Sequence, residues 1–287
     1  MELRKFSKEK FPDLLAPLLE IPKSPEHLYL RGTIPQEGTV LIAVVGSRKY
    51  SPYGKEACEH LIRGLAGYPV AIVSGLALGL DSIAHRAALD AKIPTIAIPG
   101  SGLSDAAIYP RSHAYLAKEI VEQGGALLSE YEPDFKATLW SFPKRNRLIA
   151  GLARLVLIVE AEMRSGALIT ARLALDFGKD VAVVPGSIFS DGSKGTHYLL
   201  RHGAAPVTGP DDILELLGFE YETRNPDVAL EGASSEELLI LETLSEPKSR
   251  EELSEALSIP ISALGVALSM LEIKGAIIEE GGKVRKR

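Results

Sequence analysis

From Val40 onward, short runs of β-branched and apolar residues alternate with longer helical patterns, and this alternation narrows the available folds more than any other feature of the chain. Val40–Val45, Val70–Val73, Thr95–Ile98, Ala126–Leu128, Leu155–Val159 and Val181–Val184 read as buried strands. Helical patterns lie between them. Ser51 caps and Pro52 opens one that runs toward Ala66. Asp81 is expected to cap a second, ending near Ala91; a third lies near Ser112–Gln123 and a fourth spans Ala167–Phe177. Strands alternating with helices of about 10–15 residues imply βαβ units and a parallel sheet with right-handed crossovers. Near-continuous Val, Ile and Leu in each strand fits a sheet covered on both faces.

The expected architecture is thus α/β, a Rossmann-like, mostly parallel sheet with helices on both faces, occupying residues 39–218. Residues 1–38 carry Pro22, Pro25 and Pro35 with no strong period and read as an N-terminal preamble. A polar stretch over residues 219–234 reads as a linker. Beyond it, Glu236–Leu244, Arg250–Leu257 and Ile261–Lys274 are helical patterns. Ala276–Ile278, the turn Gly281-Gly282 and Lys283–Arg285 then resemble a two-stranded hairpin. Three helices and a hairpin make residues 235–287 a small winged-helix-like domain.

Composition excludes several classes. No uncharged apolar stretch approaches the roughly 20 residues of a membrane span, and the charged start Met1–Phe6 lacks the apolar run of a secretory signal. A cytoplasmic protein without membrane contact is expected. The single cysteine, Cys58, rules out an internal disulfide and a multi-cysteine metal site, and its helical context makes it a small core residue. The six histidines show no metal-ligand spacing, so no metal is expected. The formal net charge is −6, unusual for a nucleic-acid binder. All of it sits in the tail: Phe219–Arg287 holds 14 acidic and 8 basic residues, whereas the first 218 residues balance. Lys136–Arg172 holds seven cations against Glu160 and Glu162, so a local basic patch is expected on a neutral core.

In parallel sheets ligands bind beyond the carboxyl ends of the strands. There this chain places Gly46-Ser47-Arg48, then Ser74-Gly75 and onward to Gly79, then Pro99-Gly100-Ser101-Gly102, then Pro185-Gly186-Ser187. Glycine in such turns lets a backbone approach a phosphate, a helix N-terminus favours the anion, and Arg48 adds a bidentate donor. The segment Phe142-Pro143-Lys144-Arg145-Asn146-Arg147 puts a ring beside three cations and an amide, preceded by Trp140. Bases stack on rings while cations neutralise phosphates, which is the physics of single-strand binding. Arg164-Ser165-Gly166 follows the Leu155–Val159 strand and offers a second phosphate site. No loop matches a nucleotide fingerprint, so no cofactor is expected.

Five ordered motifs, Gly46–Arg48, Ser74–His85, Phe142–Leu152, Val159–Ala171 and Val184–Gly186, resemble those of the DprA/Smf family of DNA-processing proteins over roughly residues 40–215. The resemblance implies single-stranded DNA binding, delivery of the strand to the RecA recombinase in natural transformation or recombination, and a homodimer. Many members carry a helical domain before the core, for which the preamble is too short. The loop Gly102–His113 is longer than usual in the family and has His113 where asparagine is common.

Two other functional classes find partial support in the sequence. Asp81 and His85 share a helix face and form a possible base pair of an enzyme, but no serine or cysteine nucleophile accompanies them. A phosphoribohydrolase-like enzyme of similar fold carries a catalytic glutamate that Gly195–Leu199 lacks. No enzymatic activity is therefore expected. A ligand-sensing regulator would read duplex DNA with Ile261–Leu271, which contains no Arg, Lys, Asn or Gln to reach base edges.

Overall fold

A computed structural model describes residues 3–219, 234–244, 246–274, 276–280 and 282–286. These fall into two compact units, one on each side of residues 220–233. The expected linker, 219–234, lies outside the described residues except for its two ends.

The larger unit is a nine-stranded sheet. Its strands are β1 (Leu3–Ser7), β2 (His27–Gly32), β3 (Val40–Val45), β4 (Val70–Ser74), β5 (Thr95–Ala97), β6 (Ala126–Ser129), β7 (Leu155–Ile158), β8 (Asp180–Val183) and β9 (Ala205–Pro206), in the spatial order β1-β2-β6-β5-β4-β3-β7-β8-β9. Strands β3 to β9 are mutually parallel. The pair β1 and β2 adds to β6 as an antiparallel ribbon. Within the N-terminal preamble, Leu3–Ser7 and His27–Gly32 thus join the core sheet. Arg4 and Lys5 sit on the edge strand, where charge discourages pairing with another chain and hides the strand pattern in the sequence.

Helices α1 (Pro52–Gly64), α2 (Leu80–Asp90), α3 (Ala114–Glu122), α4 (Ser141–Leu152), α5 (Gly166–Asp176), α6 (Lys194–Arg201) and α7 (Pro210–Leu217) cover both faces. Alternate residues of β3 show the division. Leu41, Ala43 and Val45 pack with Leu148 and Ile149 of α4, Ala171 of α5, and Leu15 and Leu18 of a 3-10 turn. Ile42 and Val44 pack with Cys58 and Leu61 of α1, Ile83 of α2 and Ile213 of α7. Cys58 is fully buried, as its place in the helical pattern predicts.

One topological feature positions the site. From β3 the chain winds outward through β4, β5 and β6, then returns through α4 to β7 on the other flank of β3. The loops leaving β3 and β7 therefore diverge, and a crevice opens between them at the carboxyl ends of the strands.

The smaller unit comprises α8 (Ser235–Thr243), α9 (Arg250–Leu257), α10 (Ile261–Ile273) and the antiparallel hairpin β10 (Ile277–Glu280) and β11 (Lys283–Lys286). Ser234 and Ser249 each close a capping box with the glutamate three residues on. Ile240, Leu253, Leu264, Leu268, Ile277 and Val284 form its core. Among the described residues no helix is long and apolar enough to cross a membrane, and no group of acidic, histidine or cysteine side chains is placed to hold a metal ion.

Candidate nucleic-acid interface

The crevice is a cavity of about 560 Å³ between β3 and β7, roofed by the first turns of α4 and α5. Gly46, Ser47 and Arg48 line one wall; Arg164, Ser165 and Gly166 line the other; Phe142 and Asn146 descend from α4. The Arg48 guanidinium carbon lies 5.6 Å from the centre of the Phe142 ring. The Tyr109 ring lies tilted against it, 5.5 Å between centres. Arg48 and Arg164 are both exposed. The cleft thus presents exposed cations, Arg48, Lys49 and Arg164, together with a half-buried ring that Arg48 overlies.

Helix N-termini meet this edge of the sheet, and they are not equivalent. The start of α1 is occupied by the protein itself: the buried Glu160 carboxylate accepts from Ser51 N–H at 2.9 Å and Ser51 Oγ at 2.5 Å. At α2 the acidic side chain serves the neighbouring loops instead. Asp81 is not its cap, since that position belongs to Gly79. Instead the Asp81 carboxylate accepts from Gly75 N–H at 3.1 Å and is also held by the amides of Ala77 and Gly46. Burial pushes this carboxyl up, and Arg145 nearby pulls it down. At α5, Ser165 caps by accepting from Ala167 N–H, and the space beside the Gly166 Cα is open. The anion site expected at the loop after β3 is therefore filled by Glu160. Beside Arg164, the α5 start keeps open space at Gly166 where an anion could approach.

The glycines divide likewise. A Cβ on Gly46 would collide with Leu80, one on Gly75 with Asp81 and Arg145, one on Gly100 with the Phe142 ring, and one on Gly186 with Ser193. These four serve internal packing, and of them only Gly46 lines the cleft. Gly100 forms the floor on which Phe142 rests. Ser74 is fully buried and donates to Val44 O at 2.6 Å. The Ser47 hydroxyl closes its own turn, donating to Lys49 O at 2.6 Å.

The basic run of α4 also separates. Arg145 is buried, donating through Nη1 to the carbonyls of Gly75 and Ile98, and burial pushes its guanidinium down to about 10. It is a strut between loops and not an open phosphate ligand. Arg147 is buried on the Glu130 carboxylate. Lys144 points away from the cleft, its Nζ 3.5 Å from Glu130 Oε2 and 5.8 Å from the Trp140 ring. Arg154 precedes β7 and so sits at the opposite edge of the sheet. The expected patch of seven cations is thus not one surface.

The Asp81 and His85 pair does not form a dyad. His85 is fully buried, with Nδ1 2.7 Å from Thr95 Oγ1, and burial pushes its imidazole down to about 3. Tyr109 and Lys49 also line the cleft. Sequence reasoning passed over Tyr109, although it lies in the loop between β5 and α3, at the strand edge where ligands bind.

Comparison with known proteins agrees with this geometry. The family model for DNA recombination-mediator protein A matches residues 2–218. Protein Smf of Escherichia coli is 39% identical over 283 residues, covering 94% of this chain and 74% of that protein. The X-ray structure of DNA processing protein A from Streptococcus pneumoniae superposes with a TM-score of 0.67 at 38% identity, over 77% of this chain and 76% of the other. DNA processing protein A from Helicobacter pylori, solved to describe its single-stranded DNA binding mode, superposes with a TM-score of 0.65 at 32% identity, over 76% of this chain and 96% of that one.

Proposed function

The chain belongs to the DNA recombination-mediator protein A family, and on that premise we propose that its core binds single-stranded DNA without base preference. The observation that supports this most is the meeting of Arg48, Phe142 and Arg164 in one cleft at the sheet's switch point. Arg48 and the open α5 end beside Arg164 hold successive phosphates. Phe142, seated on Gly100 and flanked by Tyr109, stacks on or wedges between bases. Asn146, whose Nδ2 is 3.5 Å from Gly166 O, ties the start of α4 to that of α5.

Action by positioning follows from the same inventory. Asp81 and His85 are committed to the scaffold, and the groups lining the cleft are the cations Arg48, Lys49 and Arg164, the Asn146 amide, two rings and one exposed carboxylate, Glu162, with no nucleophile paired to a base among them. The strand so held is delivered to the RecA recombinase in recombination or natural transformation, from a homodimer working in the cytoplasm. The relatives' names and the H. pylori structure support the DNA-binding part of this reading.

The test is titration of labelled oligo-dT and a matching duplex at two salt concentrations. The expected result is tighter binding of the single strand, weakening as salt rises because phosphate contacts release counterions. Equal affinity for the duplex overturns the proposal. Hand-over is read separately, as faster assembly of RecA filaments on strands pre-bound by the protein.

A further inference from the structure

Outside the cleft, the first turn of α4 carries a second cluster of rings. Tyr131 and Phe135 stack at 4.4 Å between centres, and Trp140 closes on them edge-on at 5.9 Å from Tyr131 and tilted at 5.7 Å from Phe135. Lys144, one helical turn beyond Trp140, holds its ammonium 5.4 Å from the Tyr131 ring and 5.8 Å from the Trp140 ring. Tyr131 is buried, yet Trp140 remains 56% exposed and its neighbour Leu139 90% exposed. A packed aromatic base under an exposed indole is a supported platform, unlike a lone surface ring.

The cluster is continuous with the cleft. Leu139 and Pro143 both line the cavity, and Trp140 and Phe142 are separated by one residue, the buried Ser141 that anchors the turn to Gly100 O at 2.6 Å. The two rings are thus fixed on opposite sides of one rigid helix start. Two of the nearby acids are answered internally, Glu130 by Arg147 and Lys144 and Glu132 by Lys5 and Tyr29, while Asp134 is exposed to solvent.

We propose that Trp140, backed by Lys144, is a second base-stacking platform that receives a nucleotide as the strand leaves the cleft past Phe142. This rests on the reading of the cleft as a single-strand site. Because Arg48 and Arg164 lie on the cleft side, the phosphates stay there and the indole meets a base face, which makes the platform indifferent to base identity. Lys144 polarises the indole and lies within reach of the next phosphate.

The chain has one tryptophan, so its intrinsic emission reports this position alone. The test follows oligo-dT of roughly 5 and roughly 20 nucleotides, bracketing the usual site size, by anisotropy of a labelled strand and by tryptophan emission of the full chain. The expected result is quenching of Trp140 by the long strand only. Trp140→Ala should weaken the long strand by about tenfold, within the range of one base stack, and leave the short strand unchanged; Trp140→Phe should restore most of the loss. Trp140 is exposed, and the α4 start takes no side-chain bond from it, so circular dichroism should be unchanged. Anisotropy showing tight binding of both strands with unchanged emission, or a Trp140→Ala variant that binds the long strand like the parent, overturns the platform and leaves the cleft standing. Failure of the parent to bind either strand overturns both.

Discussion

The Arg48 guanidinium carbon lies 5.6 Å from the centre of the Phe142 ring, although the two residues reach that point from β3 and from the helix that returns to β7. The contact spans the switch point of the sheet. On the proposed reading it holds the phosphate ligand and the base-stacking ring in one fixed arrangement, which would need little rearrangement on binding. Pre-formed geometry of this kind lowers the ordering penalty of association.

Removing either open cation should weaken binding and change its salt response together. Arg48→Ala and Arg164→Ala should each lower oligo-dT affinity and flatten the slope of log affinity against log salt by about one unit or less. Fluorescence anisotropy at four salt concentrations measures both quantities. If both variants match the parent, the cleft is not the DNA site.

Phe142→Ala should behave differently. It should lower affinity by about 1–3 kcal/mol with the salt slope nearly unchanged, because stacking releases few ions. The ring also sits on Gly100, so the variant's thermal stability should be measured beside its affinity. A flattened slope in Phe142→Ala would show that its effect runs through Arg48 and not through a base.

The buried strut predicts a stability effect where the sequence points to a binding one. Arg145→Met removes the donor to the carbonyls of Gly75 and Ile98 and leaves the buried Asp81 carboxyl without its nearby cation. A loss of about 3 kcal/mol is expected, in the range for breaking a buried charged network. Lys144→Ala, on the exposed side of the same helix, should change stability by about 0.5 kcal/mol or less. Thermal unfolding separates the two, and similar melting points for both variants would contradict the strut.

Much of this fold is legible in the sequence, because buried parallel strands are continuous apolar runs and helices here carry clear stripes. The edge pair β1 and β2 is not legible, since Arg4 and Lys5 break the strand pattern and its pairing is antiparallel to a distant strand. Nor does a glycine announce whether the space it leaves faces a ligand or a neighbouring side chain; Gly46 and Gly75 look alike in sequence to Gly166, yet only Gly166 is open. The fate of Arg145 did leave a trace. It is in helical phase with the buried Leu148, Ile149 and Leu152, three, four and seven positions on. That periodicity outranks its place in a basic run.

His85 should make the core acid-sensitive. The unfolded chain takes up a proton near the ordinary value of 6.5, whereas the buried imidazole resists until about 3. Between those values the unfolded state binds more protons, so the stability contributed by neutral His85 is complete above about pH 6.5 and is lost as pH falls. Each unit of displacement is worth about 1.4 kcal/mol at full effect. Asp81 runs the other way: its carboxyl is raised by burial, so its contribution is complete at low pH and is lost as pH rises. Melting temperatures at pH 7 and pH 4.5 should fall more steeply for the parent than for His85→Gln, and parallel falls would assign the acid sensitivity elsewhere.

The last prediction concerns the small unit. Its α10 has no Arg, Lys, Asn or Gln along Ile261–Leu271 and exposes Val266 and Met270 instead, an apolar surface ill suited to reading DNA. The tail from Phe219 carries the whole net negative charge of the chain, so it adds repulsion from phosphates and not attraction. All the groups assigned to the strand, from Arg48 to Gly166, lie in the larger unit, which has its own sheet and core. Truncation after Ser234 should therefore leave oligo-dT affinity within about threefold of the parent, a difference of roughly 0.7 kcal/mol, with a similar or slightly steeper salt slope. Anisotropy on a truncated chain whose circular dichroism and cooperative melting are retained measures this. A loss of a hundredfold in that folded fragment would move the principal DNA contacts into residues 235–287.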